Sequence, residues 1–267
     1  MDNKLIFSLY EKAVGNLELE TVFDIINLYG NKCIDGIEIN TKNLEYLEKC
    51  AMLCKKNKML FRCHFPLEAM SENETKKYLN AVDNLSKRLR YKINIVFHSL
   101  SYQDTIEEML DDTKEYIEKI LGFVEKYKLN VYISIENLNF KNNIKRINVS
   151  KIDEILKKEK NLYFTYDIGH DIFDNKKPSN LTKLQISRIN NVHIHSVDNG
   201  EDHHMIVKDT KVLFELKTAL NNLKKINYNG PIVLEYSIKY LNGKKMEEKI
   251  IDFVKSFKFF KELLSNI

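Results

Sequence analysis

The amino-acid sequence predicts an α/β protein, a single closed (β/α)8 TIM barrel over residues 1–267, with a metal site at the C-terminal mouth of the strands. Three observations predict it. Short apolar, β-branched runs alternate eight times with longer amphipathic segments, the pattern of a parallel sheet with helical crossovers. The length of 267 residues suits such a barrel, which typically takes about 250. Imidazoles and carboxylates gather at or just past the ends of the runs, where catalytic groups of such barrels lie.

In chain order the strand candidates are KLIFSLY, DGIEIN, MLFRCHF, INIVFHSL, NVYISIEN, LYFTYDIG, NVHIHSV and PIVLEYS. Helical periodicity is plain over 44–56, 71–90, 104–128 and 244–264. Thr41 comes shortly before the first of these, and Ser71-Glu72-Asn73-Glu74 reads as a capping box opening the second. The last segment, with Ile250, Ile251, Val254, Phe257 and Leu264, reads as the closing barrel helix. No linker-like stretch marks a second domain.

Bulk properties narrow the function. A net charge of +4, with basic residues scattered among acidic ones, gives no nucleic-acid stripe. The five arginines (Arg62, Arg88, Arg90, Arg146, Arg188) are few for a phosphate-binding groove. No apolar run reaches membrane-spanning length, and the opening residues lack a signal-peptide pattern, so the expectation is a cytoplasmic protein without a membrane partner. Cys33, Cys50, Cys54 and Cys63 form no CxxC pair and read as small core side chains.

Strand parity gathers the polar residues on one side. Alternate residues of a barrel strand point inward. Outward Phe61, Cys63 and Phe65 leave His64 inside; outward Ile95 and Phe97 leave His98 inside; outward Val131, Ile133 and Ile135 leave Glu136 inside. His193 and His195 likewise face inward, as does Glu235. Burying so many ionisable groups at one mouth is costly without a compensating cation. Mixed nitrogen and oxygen ligands suit zinc, manganese, cobalt or iron.

The segments GIEIN, CHFP, FHS, SIEN, YDIGH, VHIHSVD, GEDHH and VLEYS occur in the order seen in the xylose isomerase-like TIM-barrel superfamily, which the chain resembles from strand 2 to strand 8. That superfamily contains sugar and sugar-phosphate isomerases, ketose epimerases, inosose dehydratases and the endonuclease IV group. The resemblance implies a core metal held by Glu136, Asp167, His193 and Glu235. In the endonuclease branch it implies a second ion on His64, His98 and a bridging Glu136, and a third on His170, Asp202 and His204. The cofactor expectation is therefore one to three divalent ions per chain. Either His193 or His195 can serve as the strand-7 ligand, with family spacing favouring His193; His203 reads as a solvent-facing neighbour.

Two chemistries follow from the resemblance. The first is a metal-dependent isomerase or epimerase of a sugar, sugar phosphate or polyol, with a carbohydrate-like small molecule as partner. Glu136 and Glu235 would move the proton, His170 would orient a substrate hydroxyl, and Glu38, His64, His98 and His195 would contact substrate. For Glu38 a charged plug at the barrel mouth is the other reading. The second chemistry is an endonuclease IV-like zinc phosphodiesterase acting on abasic-site DNA. The chain departs from both patterns. Ser196 to Asp202 lacks the arginine usual in ketose epimerases, and His64-Phe65-Pro66-Leu67 and Asn137-Leu138-Asn139-Phe140 replace the local signatures of the nuclease branch. The isomerase reading is favoured, nucleic acid is the less favoured partner, and a metal-binding barrel without catalysis is a third reading.

Overall fold

The computed structural model describes residues 3–11, 18–30, 33–66, 70–100, 105–139, 146–198, 201–204, 209–235 and 245–266. Its barrel strands are β1 (Leu5–Tyr10), β2 (Gly36–Asn40), β3 (Leu60–His64), β4 (Ile93–Phe97), β5 (Val131–Glu136), β6 (Leu162–Asp167), β7 (Ile189–Ile194) and, later in the chain, β10 (Ile232–Leu234). They close in the order β1-β10-β7-β6-β5-β4-β3-β2, and every neighbouring pair is parallel. The helices between them are α1 (Leu19–Gly30), α2 (Leu44–Lys56), α3 (Glu72–Leu89), α4 (Ile106–Lys126), α5 (Val149–Leu156), α6 (Ile168–Asn175), α7 (Lys183–Arg188), α8 (Thr210–Lys225) and α9 (Met246–Ser265). This is the (β/α)8 barrel that the sequence pattern predicts.

Capping chemistry sets where the helices begin. Ser71 caps α3 in a reciprocal box with Glu74, as its sequence indicates, and Thr105 with Glu108 does the same for α4. For α2 the cap is Asn43 rather than Thr41: the Asn43 side chain accepts from the Glu45 and Tyr46 amides, while Thr41 supports Asn43 from outside the helix.

Outward strand residues form the layer between barrel and helices. Phe65 stacks on Phe97 at 4.3 Å between centroids and meets Tyr78 of α3 edge-on. Cys50, Cys54 and Cys63 are buried free thiols here, and Cys33 is half-buried. Each large side chain removed from water in this layer contributes about 1.5–3 kcal/mol.

Inside the barrel the middle layer is polar. Thr165 donates to Ser134 (2.8 Å), Asn94 donates to the same hydroxyl (2.9 Å), and Asn190 donates to Asn94 (2.7 Å). A register shift between β6 and β7 carries β7 from Ile189 to Asn191 while β6 advances one residue, from Phe164 to Thr165, so that Asn190 is the extra residue. The irregularity brings Asn190 into the interior polar layer, while Asn191, on the same face as His193 two residues on, reaches Glu38 above it. Beyond β7 the chain forms a small antiparallel ribbon, β8 (Ser196–Asp198) with β9 (Glu201–His204). Among the described residues no helix is long and apolar enough to cross a membrane.

Candidate metal centre

Side chains from β3, β5, β6, β7 and the chain just past β4 and β10 converge at the C-terminal ends of the strands. Three groups emerge in which one donor atom per residue lies within 4.8 Å of the others: Glu136, Asp167, His193 and Glu235; His64, His98 and Glu136; and Asp167, His170 and His195. Four adjacent strands supply the first group, and Glu136 belongs to two.

The spacing inside these groups is diagnostic. His193 Nδ1 lies 3.3 Å from Glu136 Oε2 and 3.3 Å from Glu235 Oε1. His64 Nε2 and His98 Nε2 lie 3.4 and 3.3 Å from Glu136 Oε2. In the third group His170 Nδ1 is 3.4 Å from Asp167 Oδ2, and it lies at the same 3.4 Å from Glu136 Oε1 of the neighbouring groups. These separations exceed the 2.7–3.2 Å of a good N–H···O bond, roughly. They match the gap of about 3.4 Å between two atoms each bound at about 2.1 Å to one tetrahedral ion.

The donor atoms are also left open by their surroundings. Both Glu136 oxygens, Asp167 Oδ2 and His193 Nδ1 are buried without a hydrogen-bond partner among the described residues. Orphaned buried acceptors cost about 1–3 kcal/mol each, more when charged. A divalent ion bound by Glu136, Asp167, His193 and Glu235 removes that cost, so the residues present fit the metal that the sequence suggested.

Outer contacts aim the ligands. His64 Nδ1 lies 2.9 Å from the Phe65 carbonyl, which takes its N–H and leaves Nε2 as the inward nitrogen. His193 Nε2 lies 2.9 Å from Glu38 Oε1, leaving Nδ1 inward. Asp167 ends β6 and caps α6, its Oδ1 accepting from the His170 amide at 2.7 Å. Asn137 grips the same residue from both sides: its Oδ1 accepts from the Asp167 amide and its Nδ2 donates to the Asp167 carbonyl. The Asn137 carbonyl in turn sits 3.0 Å from His170 Nδ1.

Electrostatics follow from burial set against pairing. Burial disfavours charge on Glu136, but His193, His98 and His170 outweigh it, and its carboxyl falls well below the ordinary 4.5. Burial opposes charge on His193 too, yet Glu235, Glu38 and Glu136 carry it well above 6.5. His64 is raised against its burial by Glu136, whereas for His98 burial wins and the value falls. For Asp167, burial is overcome by His170 and His195, and its value falls.

Most of the sequence-derived candidates meet in this cluster. His195 stands with Asp167 and His170, its Nε2 3.1 Å from Asp167 Oδ1, the place where the resemblance implied Asp202 and His204. The side chains of Asp202, His203 and His204 lie outside the described residues; their backbone belongs to β9. Glu38 is completely buried and lies on the interior side of His193, beside Asn191 and Arg62. Residue-by-residue reading missed Asn137 and Gly169. The His195 ring occupies the space a Cβ on Gly169 would need; a glycine in the first turn of a helix, in YDIGH, was the available signal.

A closed parallel barrel with histidines and carboxylates converging at its C-terminal mouth defines the class: a (β/α)8 protein with a candidate metal centre. The chain belongs to the xylose isomerase-like TIM barrel family, whose pattern matches residues 35–257. Uncharacterized protein MJ1311 of Methanocaldococcus jannaschii is 29% identical over 167 residues, covering 61% of this chain and 52% of that protein, so the match spans about half the relative's length. Among solved structures, a D-tagatose 3-epimerase-like protein is similar at 23% identity and a TM-score of 0.68, with 97% of each chain covered. The D-psicose 3-epimerase of Clostridium cellulolyticum H10 with D-tagatose is similar at 15% and 0.66, covering 97% of this chain and 99% of that one. The 3-keto-D-glucoside 4-epimerase YcjR of E. coli is similar at 15% and 0.67, again covering 97% and 99%. At these identities the likeness establishes the fold.

Proposed function

We propose that this protein is a divalent-metal-dependent isomerase or epimerase acting on a sugar, sugar phosphate or related polyol. The observation that carries the reading is the placement of Glu136 and Glu235, two buried carboxylates each 3.3 Å from the same nitrogen, His193 Nδ1. The epimerases it resembles in fold lend support, since their described substrates are ketoses and a ketoglycoside.

Glu136, Asp167, His193 and Glu235 would hold the ion, which would supply polarisation of a carbonyl and its neighbouring hydroxyl. Glu136 on β5 and Glu235 just past β10 flank that position, with β6 and β7 between them. One carboxylate takes the proton from the carbon beside the carbonyl and the other returns one. His170 orients a substrate hydroxyl. His98 retains 29% side-chain exposure and contacts the far end of the substrate, with His64 (2% exposed) behind it.

The experiment is incubation of the metal-loaded protein with ketoses, ketose phosphates and inososes in deuterated water, read by NMR. Deuterium entering at the carbon beside the carbonyl, and lost in Glu136→Gln, is the expected result. One observation favours a second reading, a phosphodiesterase of the endonuclease IV kind: the separate His64, His98 and Glu136 group offers another ion its donors. Chelator-sensitive cleavage of an abasic duplex, with no deuterium exchange on any sugar, would replace the first reading by the second.

A further inference from the structure

The Glu38 carboxylate is buried in the barrel interior and has no exposed surface. Its Oε1 lies 2.9 Å from His193 Nε2, and its Oε2 accepts from Asn191 Nδ2 at 3.1 Å and faces Arg62 Nε at 3.8 Å. The opposite nitrogen of the same ring, Nδ1, faces Glu136 and Glu235. Arg62, Glu38, His193 and the two mouth carboxylates therefore form one line of alternating charge from the middle of the barrel to its mouth. A substrate at the mouth meets His193 before it reaches Glu38.

We infer that Glu38 is a positioning residue: held by Asn191 and balanced by Arg62, it fixes the His193 ring so that Nδ1 is presented to the ion. This rests on the proposed metal centre and assigns Glu38 to metal retention in place of substrate contact. The Asn191 amide also lies 2.9 Å from His193 Nε2, so the outer nitrogen sits between that amide and the Glu38 carboxylate; a carboxylate behind a ligating imidazole restrains the ring orientation and raises the basicity of the inner nitrogen. Asn191 shares the inward face of β7 with His193 two residues on, so one stretch of strand supplies both the ring and the amide that holds Glu38.

The test is titration of metal-free full-length protein with Mn(II) and with Co(II) by calorimetry, together with the visible spectrum of the Co(II) form. In Glu38→Gln the affinity is expected to fall about 10- to 100-fold, the usual cost of losing such a partner, and the Co(II) bands to shift. In a His193→Ala background the same substitution should add no further loss, because Glu38 acts through that ring. If Glu38→Gln does not fold, the pair Arg62→Met with Glu38→Gln, which removes both buried charges, takes its place in each comparison. Unchanged affinity and spectrum in a variant of a parent that binds metal overturns the inference alone. A parent that binds no ion overturns the metal centre, and the inference with it.

Discussion

His193 Nδ1 stands 3.3 Å from Glu136 Oε2, too far for a good hydrogen bond and at the spacing of two ligands on one ion. The same nitrogen keeps the same separation from Glu235, and both residues are buried. From that relationship the protein's chemistry can be tested piece by piece.

Glu136→Gln and Glu235→Gln each remove a ligand charge and a proton carrier. Turnover should fall by about 10²–10⁴-fold or more, the range for a general acid–base group, while circular dichroism stays that of the parent. Full activity in either variant contradicts the proton-transfer role.

Replacing His64 and His98 together by Ala distinguishes one working ion from several. With the histidines acting as substrate contacts, KM should rise by roughly 10- to 100-fold, the worth of one or two hydrogen bonds, and kcat should largely persist. Complete loss of turnover points to a multinuclear site.

The ion-free protein should have a characteristic pH profile. His193 lies above its ordinary 6.5, so its contribution to stability is complete below that value and drains away as pH rises through the raised folded value. Glu136 lies below its ordinary 4.5, so its contribution is complete above that value and is lost as pH falls through the lowered one. Thermal melts of chelated protein should therefore be highest between 4.5 and 6.5 as far as this pair decides the matter. Metal affinity should rise with pH, because binding displaces the His193 Nδ1 proton. An affinity independent of pH from 5 to 8, roughly, would contradict this.

Gly169→Ala should displace the His195 ring, which fills the space a Cβ would need. A destabilisation of about 1–3 kcal/mol is expected from such overpacking, measured by denaturant melts, with a loss of activity exceeding what the stability change explains. Parent-like activity would show that the position of His195 is not critical.

Strand parity made the barrel interior legible: period two in LFRCH, VYISIE and NVHI correctly places His64, Glu136 and His193 on the inner face. The Ser71 capping box was equally readable, because its two partners are local. What escaped reading depends on non-local geometry. Glu38 and His193 sit on β2 and β7, which are not neighbours in the sheet, so no pairing rule brings them together across the interior. The β6–β7 irregularity that turns Asn190 inward breaks the period on which parity depends. The β8–β9 ribbon takes Asp202 and His204 into a local hairpin where a strand end had been expected.

Whether the barrel mouth is a metal centre is decided by bound metal per chain, measured by elemental mass spectrometry on protein purified without chelator and counting manganese, cobalt, iron and zinc. About one ion per chain, lost in Glu136→Gln, is expected for proton-shuttling chemistry; close to three, mainly zinc, shifts the chemistry to phosphodiester cleavage. No metal, even after reconstitution, contradicts the central claim.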